Sequence, residues 1–361
     1  MSEVFDKLLG NFTWWVNQED AKGDNLFEGG FMGLDNIGPI DRSHLPVGGT
    51  LEQSDASGWM AFYAIAMAGI AAALQRSGRR PATGVILKFL EHFATIRQAM
   101  DNQGLWDDTD GLYYDRLTTP DGNTVPVTYR SMVGIVPMLA AAVIDEASIT
   151  QAVTVGKQFA GFVNRHGDKD KLAEQGLLRG KPGDRQLLLS VVGTGRLEKM
   201  FAKLFDIEEF LSPYGLRALS AYHRDHPYEF DVEGFSASVN YEPAESITDM
   251  FGGNSNRRGP LWFPLNYLVV NALERFYRFF GDELTIEYPA GSGHKVPMDV
   301  IAADLQDRLI SLFTAGDDGR RPCFGWIDKM QHDPAWKNNL LFNEYFHGDN
   351  GAGLGATHQT G

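Results

Sequence analysis

The sequence has one cysteine, Cys323, among its 361 residues. A single thiol cannot form a disulfide framework, and it cannot supply the set of thiolates that a structural zinc site uses. Both kinds of stabilisation are therefore excluded within this chain. The hydrophobic fraction is 43%, and a chain of this length can bury a sizeable apolar core, which we expect to stabilise the fold instead.

Clustered positive charge is also lacking. The net charge is −15, and no long run of lysine and arginine interrupts this acidic balance. Proteins that bind nucleic acids need clustered cations to displace counterions from the phosphates. We therefore expect no nucleic-acid partner.

Signals for export or membrane insertion are weak. The first seven residues have neither the basic start nor the apolar core of a signal peptide. Residues 57–75 carry no charge, but they are rich in alanine and include Gly58 and Gly69, which makes them weakly apolar for a membrane span. We expect a buried helix here, no membrane partner, and a cytoplasmic location if Met1 is the native start.

Signatures of several other enzyme classes are missing. No glycine-rich stretch is followed by the GK[ST] of a phosphate loop, and Gly-x-Ser-x-Gly does not occur. His223 and His226 are three residues apart, but the charged residues between them favour a solvated turn over a metal site. We expect no metal and no cofactor.

The hydrophobic pattern favours helices. Nearly all-apolar segments at 51–74 and 128–145 are each followed by a more polar helical one, at 83–100 and 149–166. Strand signals are weak. An inner ring of buried helices inside an outer, half-exposed ring produces this alternation. We therefore predict an all-α chain forming an (α/α)6 barrel with long rim loops, as a single domain over 1–361. Further helices are predicted at 4–17, 198–208, 261–280, 300–314 and 335–345.

Residues 26–42 combine four glycines and a proline with three carboxylates and two phenylalanines. Glycines let a backbone approach a ligand closely. Asp35 stands among Phe31, Leu34 and Ile37, and apolar neighbours favour the protonated form of a carboxyl group. The stretch is typical of an active-site loop, and an ordinary glycine-rich connector is the alternative.

A second aspartate- and aromatic-rich stretch covers residues 104–115. Trp106 could stack on a sugar and Asp108 could bind its hydroxyls. A calcium loop is disfavoured because Leu117 occupies the position where an EF-hand needs a bidentate glutamate. A solvated acidic turn remains the alternative.

A third stretch covers residues 254–267. Trp262 and Asn266 are four residues apart and share one helix face. Arg258 precedes the predicted helix, where a guanidinium could bind sugar hydroxyls or orient a carboxylate. Core packing of Trp262 is the alternative.

A fourth stretch, residues 342–361, places Glu344 between aromatic residues and before a glycine-rich loop. Glycosidic bond hydrolysis needs two carboxyl groups, and Asp35 and Glu344 have the most site-like surroundings. The competing acids are Glu28, Asp41, Asp108, Glu245, Asp249 and Asp349.

Taken in order, residues 33–36, 106–115, 258–267 and 343–349 resemble motifs of glycoside hydrolase family 63. The sequence is most similar to the bacterial glucosidase and mannosylglycerate-hydrolase-like branch of that family. The match runs along nearly the whole chain, with 167–196 the least similar part. The resemblance implies an (α/α)6 barrel and a role in carbohydrate metabolism, as an inverting hydrolase of α-linked glucosides or mannosides.

The resemblance also implies residue roles. Asp35 would be the general acid and Glu344 the general base, about 6.5–9.5 Å apart so that a water fits between them. A small carbohydrate would be the substrate. The residues implied to bind it are Phe31, Asn36, Trp106, Asp108, Arg258, Trp262, Asn266, His347 and Asp349.

Members of this family are usually longer, with a domain before the barrel and a helix after the loop that Glu344 matches. We therefore expect this chain to be a fragment lacking at least one barrel helix. Two alternatives stay open: a carbohydrate-binding barrel without turnover, and another sugar-active α/α-barrel enzyme such as an epimerase or lyase. The latter usually rely on histidine or tyrosine as the base.

Overall fold

The computed structural model describes residues 2–17, 25–28, 34, 37–146, 177–245, 247 and 258–358. The chain divides into two compact units, each assembled from segments that are distant in sequence. The first unit contains Met1–Gly33, Gly48–Val127 and Val133–Lys199; the second contains Leu34–Val47, Thr128–Met132 and Met200–Gly361.

The first unit is built around two long helices that pack against each other. Its helices are α1 (Ser2–Val16), α2 (Ser54–Arg76), α3 (Thr83–Asn102) and α4 (Val136–Leu139), and α5 (Thr194–Leu204) begins in it and ends in the second unit. Helix α1 covers the pair with two buried phenylalanines, of which Phe12 lies 5.2 Å from the Tyr63 ring of α2 and 5.0 Å from the Phe89 ring of α3.

Short antiparallel strands complete the first unit. They are β1 (Thr50–Glu52), β2 (Trp106–Asp107), β3 (Leu112–Tyr113), β4 (Asp115–Thr118), β5 (Thr124–Val127), β6 (Ala141–Asp145), β7 (Leu178–Arg179) and β8 (Gln186–Ser190). The sheets have the orders β1-β4-β5 and β6-β8-β7, and β2 pairs with β3. Strand β4 also caps α2, because Asp115 Oδ1 accepts the Ser54 N–H at 2.8 Å.

The second unit consists of hairpins around two packed helices. Its helices are α6 (Phe263–Phe280), α7 (Met298–Ser311) and α8 (Asp328–His332). Its antiparallel hairpins are β9 (Leu211–Ser212) with β10 (Gly215–Leu216), β11 (Tyr228–Val232) with β12 (Phe235–Val239), β13 (Thr285–Glu287) with β14 (Lys295–Pro297), and β15 (Asn343–Phe346) with β16 (Gly353–Thr357).

One apolar cluster of the second unit fixes the start of α6 beside β15. Leu261, Leu312, Phe324 and Phe346 are buried in it together. The Phe263 ring at the start of α6 lies 5.4 Å from the Phe346 ring of β15. The stretches around Trp262 and Glu344 are therefore held next to each other by packed side chains.

Helix α2 is long and apolar enough to cross a membrane by length and composition alone. More than half of its most apolar window is buried within the protein, against α1, α3 and α4. The predicted buried helix is confirmed.

The predicted helices correspond to the observed ones except in three places. The predicted helix at 128–145 is wrong, because β6 pairs with β8 and only Val136–Leu139 is α-helical. Residues 335–345 end in β15 rather than forming a helix. The helix predicted at 149–166 lies outside the described residues. An all-α fold is not confirmed, because the described residues also form short strands. These strands are too short for the sequence to show a clear period-2 alternation.

Two glycines in α2 offer a matched test of this packing. A Cβ atom on Gly58 would lie 2.9 Å from the backbone of Pro137 in α4, whereas one on Gly69 would meet nothing within 4 Å. We expect Gly58→Ala to lower the free energy of unfolding by about 1–3 kcal/mol through overpacking. Gly69→Ala should raise it by about 0.5–1 kcal/mol. Urea unfolding of both variants measures this, and a Gly58→Ala protein as stable as Gly69→Ala would contradict the α2–α4 contact.

Candidate active site

Two of the four predicted stretches run side by side in the second unit. The Leu261 N–H donates to the Phe346 carbonyl at 2.8 Å, and the Phe346 N–H donates back to Leu261 at 3.1 Å. Leu261 also forms a β-bridge with Arg217 on its other side. The stretch that contains Arg258 and Trp262 therefore lies beside the strand that carries Glu344.

Arg258 ties a third stretch to these two. Its Nη2 donates to the Gly38 carbonyl at 2.9 Å, and its Nη1 lies 3.5 Å from Oε1 of Glu242. Both charged side chains are almost completely buried. Because a guanidinium presents several donors in fixed directions, Arg258 can hold the loop that follows Asp35 and Glu242 at once. Its predicted sugar contact stays a prediction.

Asp35, Asn36 and Phe31 lie outside the described residues, so their predicted roles and the distance from Asp35 to Glu344 stay predictions. The residues on either side of Asp35 and Asn36 are described. Leu34 and Ile37 are both buried, and the Ile37 N–H donates to the Leu34 carbonyl at 3.2 Å.

Two of the competing acids have other roles in the described contacts. Asp41 accepts the Ser43 N–H at 2.9 Å and lies 3.1 Å from His44 Nδ1, so it closes a turn in the loop. Asp349 forms ion pairs with Arg217 and Arg224. Asp249 lies outside the described residues.

Glu344 lies opposite a β-bulge. The pairing of β15 with β16 shifts register between Asn343 and Tyr345, so that Gly355 and Ala356 of β16 together face Glu344 and the extra residue belongs to β16. The half-buried Glu344 carboxylate accepts the Ala356 N–H through Oε2 at 3.3 Å. Gly355 has a φ of +69°, and a Cβ atom there would lie 2.8 Å from the same oxygen. The hairpin thus provides a cradle that a side chain at position 355 would fill.

The contacts of Glu344 leave it able to accept a proton. Among the described residues, Ala356 alone donates a hydrogen bond to its carboxylate, and it reaches Oε2. The other oxygen, Oε1, is therefore available to a water molecule. A general base must reach the proton that it abstracts directly or through one water, and the predicted role of Glu344 as that base stays a prediction.

Trp262 packs against this hairpin. Its ring lies 5.0 Å from the Tyr345 ring, at an interplanar angle of 30°, and only 3% of the residue is exposed. Its described contacts are those of core packing, the alternative that the sequence left open. Tyr345 is completely buried, and its hydroxyl donates to Oε2 of Glu245.

The Asn266 amide binds backbone. Oδ1 accepts the Leu216 N–H at 2.7 Å, and Nδ2 donates to the carbonyls of Leu216 and Trp262 at 3.1 and 3.0 Å. Both amide protons are thus committed to peptide groups. Asn266 holds the β9–β10 hairpin against α6, and its predicted sugar contact stays a prediction.

Asp349 anchors the loop that follows β15. Its Oδ1 accepts the Tyr241 hydroxyl at 2.8 Å and lies 3.2 Å from Arg217 Nη2, and its Oδ2 accepts from Arg224 at 2.8 Å. Gly348 next to it permits a close approach, because a Cβ atom there would lie 2.5 Å from the Gly259 carbonyl oxygen. The loop is therefore packed and paired in one position.

The other residue of that loop, His347, is held neutral. Its Nδ1 accepts the Asp349 N–H at 3.1 Å, so this nitrogen carries no proton. Burial lowers the pKa of His347, while the charge of Asp349 acts in the opposite direction. In this state the other ring nitrogen carries the proton and can donate a hydrogen bond.

Trp106 and Asp108 belong to the first unit. Trp106 Nε1 donates to Asp108 Oδ1 at 2.8 Å, and Lys199 Nζ lies 2.9 Å from the same oxygen. These two hydrogen bonds and the Lys199 charge lower the pKa of Asp108. The Arg196 guanidinium lies 5.2 Å from the Trp106 ring centroid. The carboxylate is exposed and ionised, as a hydroxyl acceptor needs to be.

Sequence reasoning missed the residues that hold these loops from the side, above all Tyr241 and Glu242. Both belong to a stretch without periodicity, in which the sequence gives no signal that separates a structural tyrosine or glutamate from a surface one. For their partners, the sequence suggests a sugar contact at Asp349, and at Arg258 either a sugar contact or a carboxylate, of which the structure shows the carboxylate of Glu242. A search of the described residues finds no group of three metal-ligating side chains.

No family model matches the chain. The uncharacterized protein YMR196W of Saccharomyces cerevisiae is 42% identical over 381 residues, an alignment that covers all of this chain and 35% of the yeast protein. The chain thus spans about a third of the length of this relative.

Solved structures show the fold. The GH63 mannosylglycerate hydrolase from Thermus thermophilus, in complex with glucose, aligns at 14% identity with a TM-score of 0.50, over 98% of this chain and 65% of the hydrolase. Its complex with Tris and D-glycerate aligns at 13% identity with a TM-score of 0.48, over 98% and 68%. The chain has a fold similar to that of this GH63 hydrolase. At this identity the likeness extends to the fold alone.

The protonation of His347 gives a test of the loop. A histidine whose pKa is lowered by folding binds protons more readily when unfolded, so the stability that it contributes is present above about pH 6.5 and is lost as the pH falls below that value. We expect the free energy of unfolding of His347→Gln to fall less steeply between pH 7 and pH 5 than that of the wild type. The difference is at most about 1.4 kcal/mol per pH unit.

Urea unfolding across this pH range measures the two slopes. If His347→Gln keeps the wild-type slope, His347 is not held neutral by the loop.

Proposed function

We propose that this chain hydrolyses an α-linked glucoside or mannoside, of the oligosaccharide or glycosyl-glycerate type, with inversion at the anomeric carbon. Glu344 is the general base and Asp35 the general acid. The observation that carries the proposal is the position of Glu344: a bulge of β16 lies opposite it, a cradle at Gly355 makes room for it, and Ala356 alone among the described residues donates to its carboxylate.

The chemistry balances with these two groups. Glu344 takes a proton from a water molecule as the water oxygen attacks the anomeric carbon from the face opposite the leaving group. Asp35 gives its proton to the glycosidic oxygen, the bond from that oxygen to the anomeric carbon breaks, and the sugar leaves with inverted configuration. The carboxyl groups need a separation of about 6.5–9.5 Å for the water to fit.

The ties within the second unit support this pairing. Arg258 holds the Gly38 carbonyl, three residues after Asp35, and Leu261 pairs with the strand of Glu344. A catalytic pair must be held to within a fraction of an ångström by neighbouring residues, and short ties of this kind do so. The fold similarity to a GH63 hydrolase crystallised with glucose agrees with a small carbohydrate ligand.

In this proposal the predicted sugar-site residues have two kinds of role. Some contact the sugar directly, and the others hold the loops, as their described contacts indicate. The first group is Asn36 and His347 and the second is Arg258, Trp262, Asn266 and Asp349, all of them in the second unit. The sugar contacts expected of Phe31, Trp106 and Asp108 stay predictions from the sequence. The helices belong, in the same proposal, to an (α/α)6 barrel.

Hydrolysis of a panel of α-glucosides, α-mannosides and glycosyl-glycerates tests the proposal. We expect turnover by the wild type, and a loss of about 10²–10⁴-fold in kcat for Glu344→Gln and for Asp35→Asn, the usual contribution of general acid–base catalysis. Glu229, an exposed glutamate of β11, provides the matched control, and Glu229→Gln should keep full activity.

Three outcomes would overturn the proposal. The first is full activity in Glu344→Gln, which would remove the general base. The second is full activity in Asp35→Asn, which would remove the general acid. The third is sugar binding by the wild type without hydrolysis of any member of the panel, which would favour a carbohydrate-binding protein.

A further inference from the structure

The His347 ring is held by the backbone of the loop that follows it. Its Nδ1 accepts the N–H of Asp349 at 3.1 Å and that of Asn350 at 3.4 Å. A ring nitrogen that accepts these N–H groups carries no proton, so the proton of the neutral imidazole is on Nε2. Among the described residues none is a hydrogen-bond partner of Nε2, and solvent reaches this atom. His347 therefore presents one N–H donor in a direction that the loop sets.

This ring is suited to donate a hydrogen bond and unsuited to act as a base. Nε2 already carries its proton, and protonation of Nδ1 would break the hydrogen bonds from the backbone. Burial lowers the pKa of His347, while the charge of Asp349 acts in the opposite direction. The state of the ring thus argues against an epimerase or lyase in which His347 is the base.

The side chain of Asp349 fixes the N–H group that His347 receives. The Tyr241 hydroxyl donates to Oδ1 at 2.8 Å, and Arg217 Nη2 lies 3.2 Å from the same oxygen. Arg224 Nη2 donates to Oδ2 at 2.8 Å. Both carboxylate oxygens are therefore bound by side chains from other segments of the second unit. Because the carboxylate and the N–H of Asp349 share one Cα atom, these contacts restrict the peptide group that points at His347.

Tyr241 links Asp349 to a rigid part of the second unit. Its hydroxyl donates to Asp349 and accepts the Nε–H of Arg217 at 3.0 Å. Burial raises the pKa of Tyr241, so the hydroxyl keeps its proton and remains a donor. Arg217 is itself tied to the backbone, because its Nη1 donates to the Leu211 carbonyl at 2.8 Å. The Tyr241 hydroxyl is thus a fixed point from which the loop is held.

We propose that His347 donates a hydrogen bond from Nε2 to an oxygen atom of the sugar, and that Tyr241, acting through Asp349, is the positioning residue that fixes this donor. The sugar contact rests on the proposed function, whereas the fixed tautomer does not. An N–H group of this kind needs an acceptor opposite it. A sugar hydroxyl satisfies this requirement, and a deoxy position does not.

NMR spectroscopy of the protein with 15N-labelled histidine tests the tautomer without any need for turnover. The signals of His347 are assigned by their absence from the spectrum of His347→Gln. At about pH 8 we expect an unprotonated Nδ1 and a protonated Nε2. Tyr241→Phe should shift the Nδ1 signal and raise the pKa of His347 towards the ordinary value of about 6.5, because the backbone N–H groups are no longer held on Nδ1.

The matched control is Tyr277→Phe, which removes a hydroxyl that donates to Asp282 at 3.2 Å at the end of α6. It should leave the His347 signals in place. If Tyr241→Phe does not fold, Arg224→Gln removes the partner of Oδ2 instead and should shift the signals in the same direction. A proton on Nδ1 in the wild type, or a folded Tyr241→Phe with unchanged His347 signals, overturns the inference.

Kinetics on the best substrate of the glycoside panel test the sugar contact. We expect His347→Met, which removes the donor, to raise KM about tenfold, the size of one hydrogen bond, with kcat changed less than about threefold. His347→Gln keeps an amide N–H near the position of Nε2 and should recover part of this loss. Equal KM values in all three proteins would overturn the contact. So would a loss of kcat by more than about 10²-fold in both variants, which would indicate proton transfer by His347.

The two proposals fail in different ways. Absence of hydrolysis by the wild type overturns the proposed function, and the sugar contact falls with it, while the NMR measurement still decides the tautomer. In an active enzyme, a proton on Nδ1 overturns the roles of His347 and Tyr241 and leaves those of Glu344 and Asp35 intact.

Discussion

The candidate site depends on one main-chain bridge, between Leu261 and Phe346. Two hydrogen bonds of 2.8 and 3.1 Å form it, and both residues are completely buried with Leu312 and Phe324. A hydrogen bond shielded from water in this way is stronger than an exposed one. Because the bridge holds β15 beside the start of α6, it places the Tyr345 ring on Trp262 and fixes the strand that carries Glu344. The loop that carries Asp349 continues directly from the same strand.

Arginine side chains hold the loops of the second unit in addition to this bridge. The loops of the second unit lack a regular backbone ladder, so their carbonyl groups need donors from elsewhere. Arg258 supplies one to Gly38 while it faces Glu242, and Arg217 supplies one to Leu211 while it faces the partly exposed Asp349. Removing one partner of the buried Arg258–Glu242 pair leaves an uncompensated buried charge and costs about 3–5 kcal/mol. These pairs therefore fix the loops in one arrangement, which a site built from loops requires.

The sequence predicted the long helices well, because α2, α3, α6 and α7 are long enough for apolar periodicity to be clear. It failed at 128–145, where an apolar run fits a helix and a buried strand equally well and only the partner strand β8 decides. It singled out Glu344 as a candidate from its aromatic neighbours, a role that stays a prediction, and the bulge of Gly355 and Ala356 opposite it could not be read from Glu344 itself. Tyr241 and Glu242 could not be found, because only the fold brings them to Asp349 and Arg258.

The most direct test of the central claim is the anomeric configuration of the first sugar released. Proton NMR spectroscopy follows the early turnovers of an α-linked glucoside, before mutarotation mixes the anomers. If Glu344 activates water and Asp35 protonates the leaving oxygen, the β-anomer forms first and the α-anomer appears only as mutarotation proceeds. If the α-anomer forms first, the sugar has been released with retention, and the assignment of Glu344 as a general base acting on water is wrong.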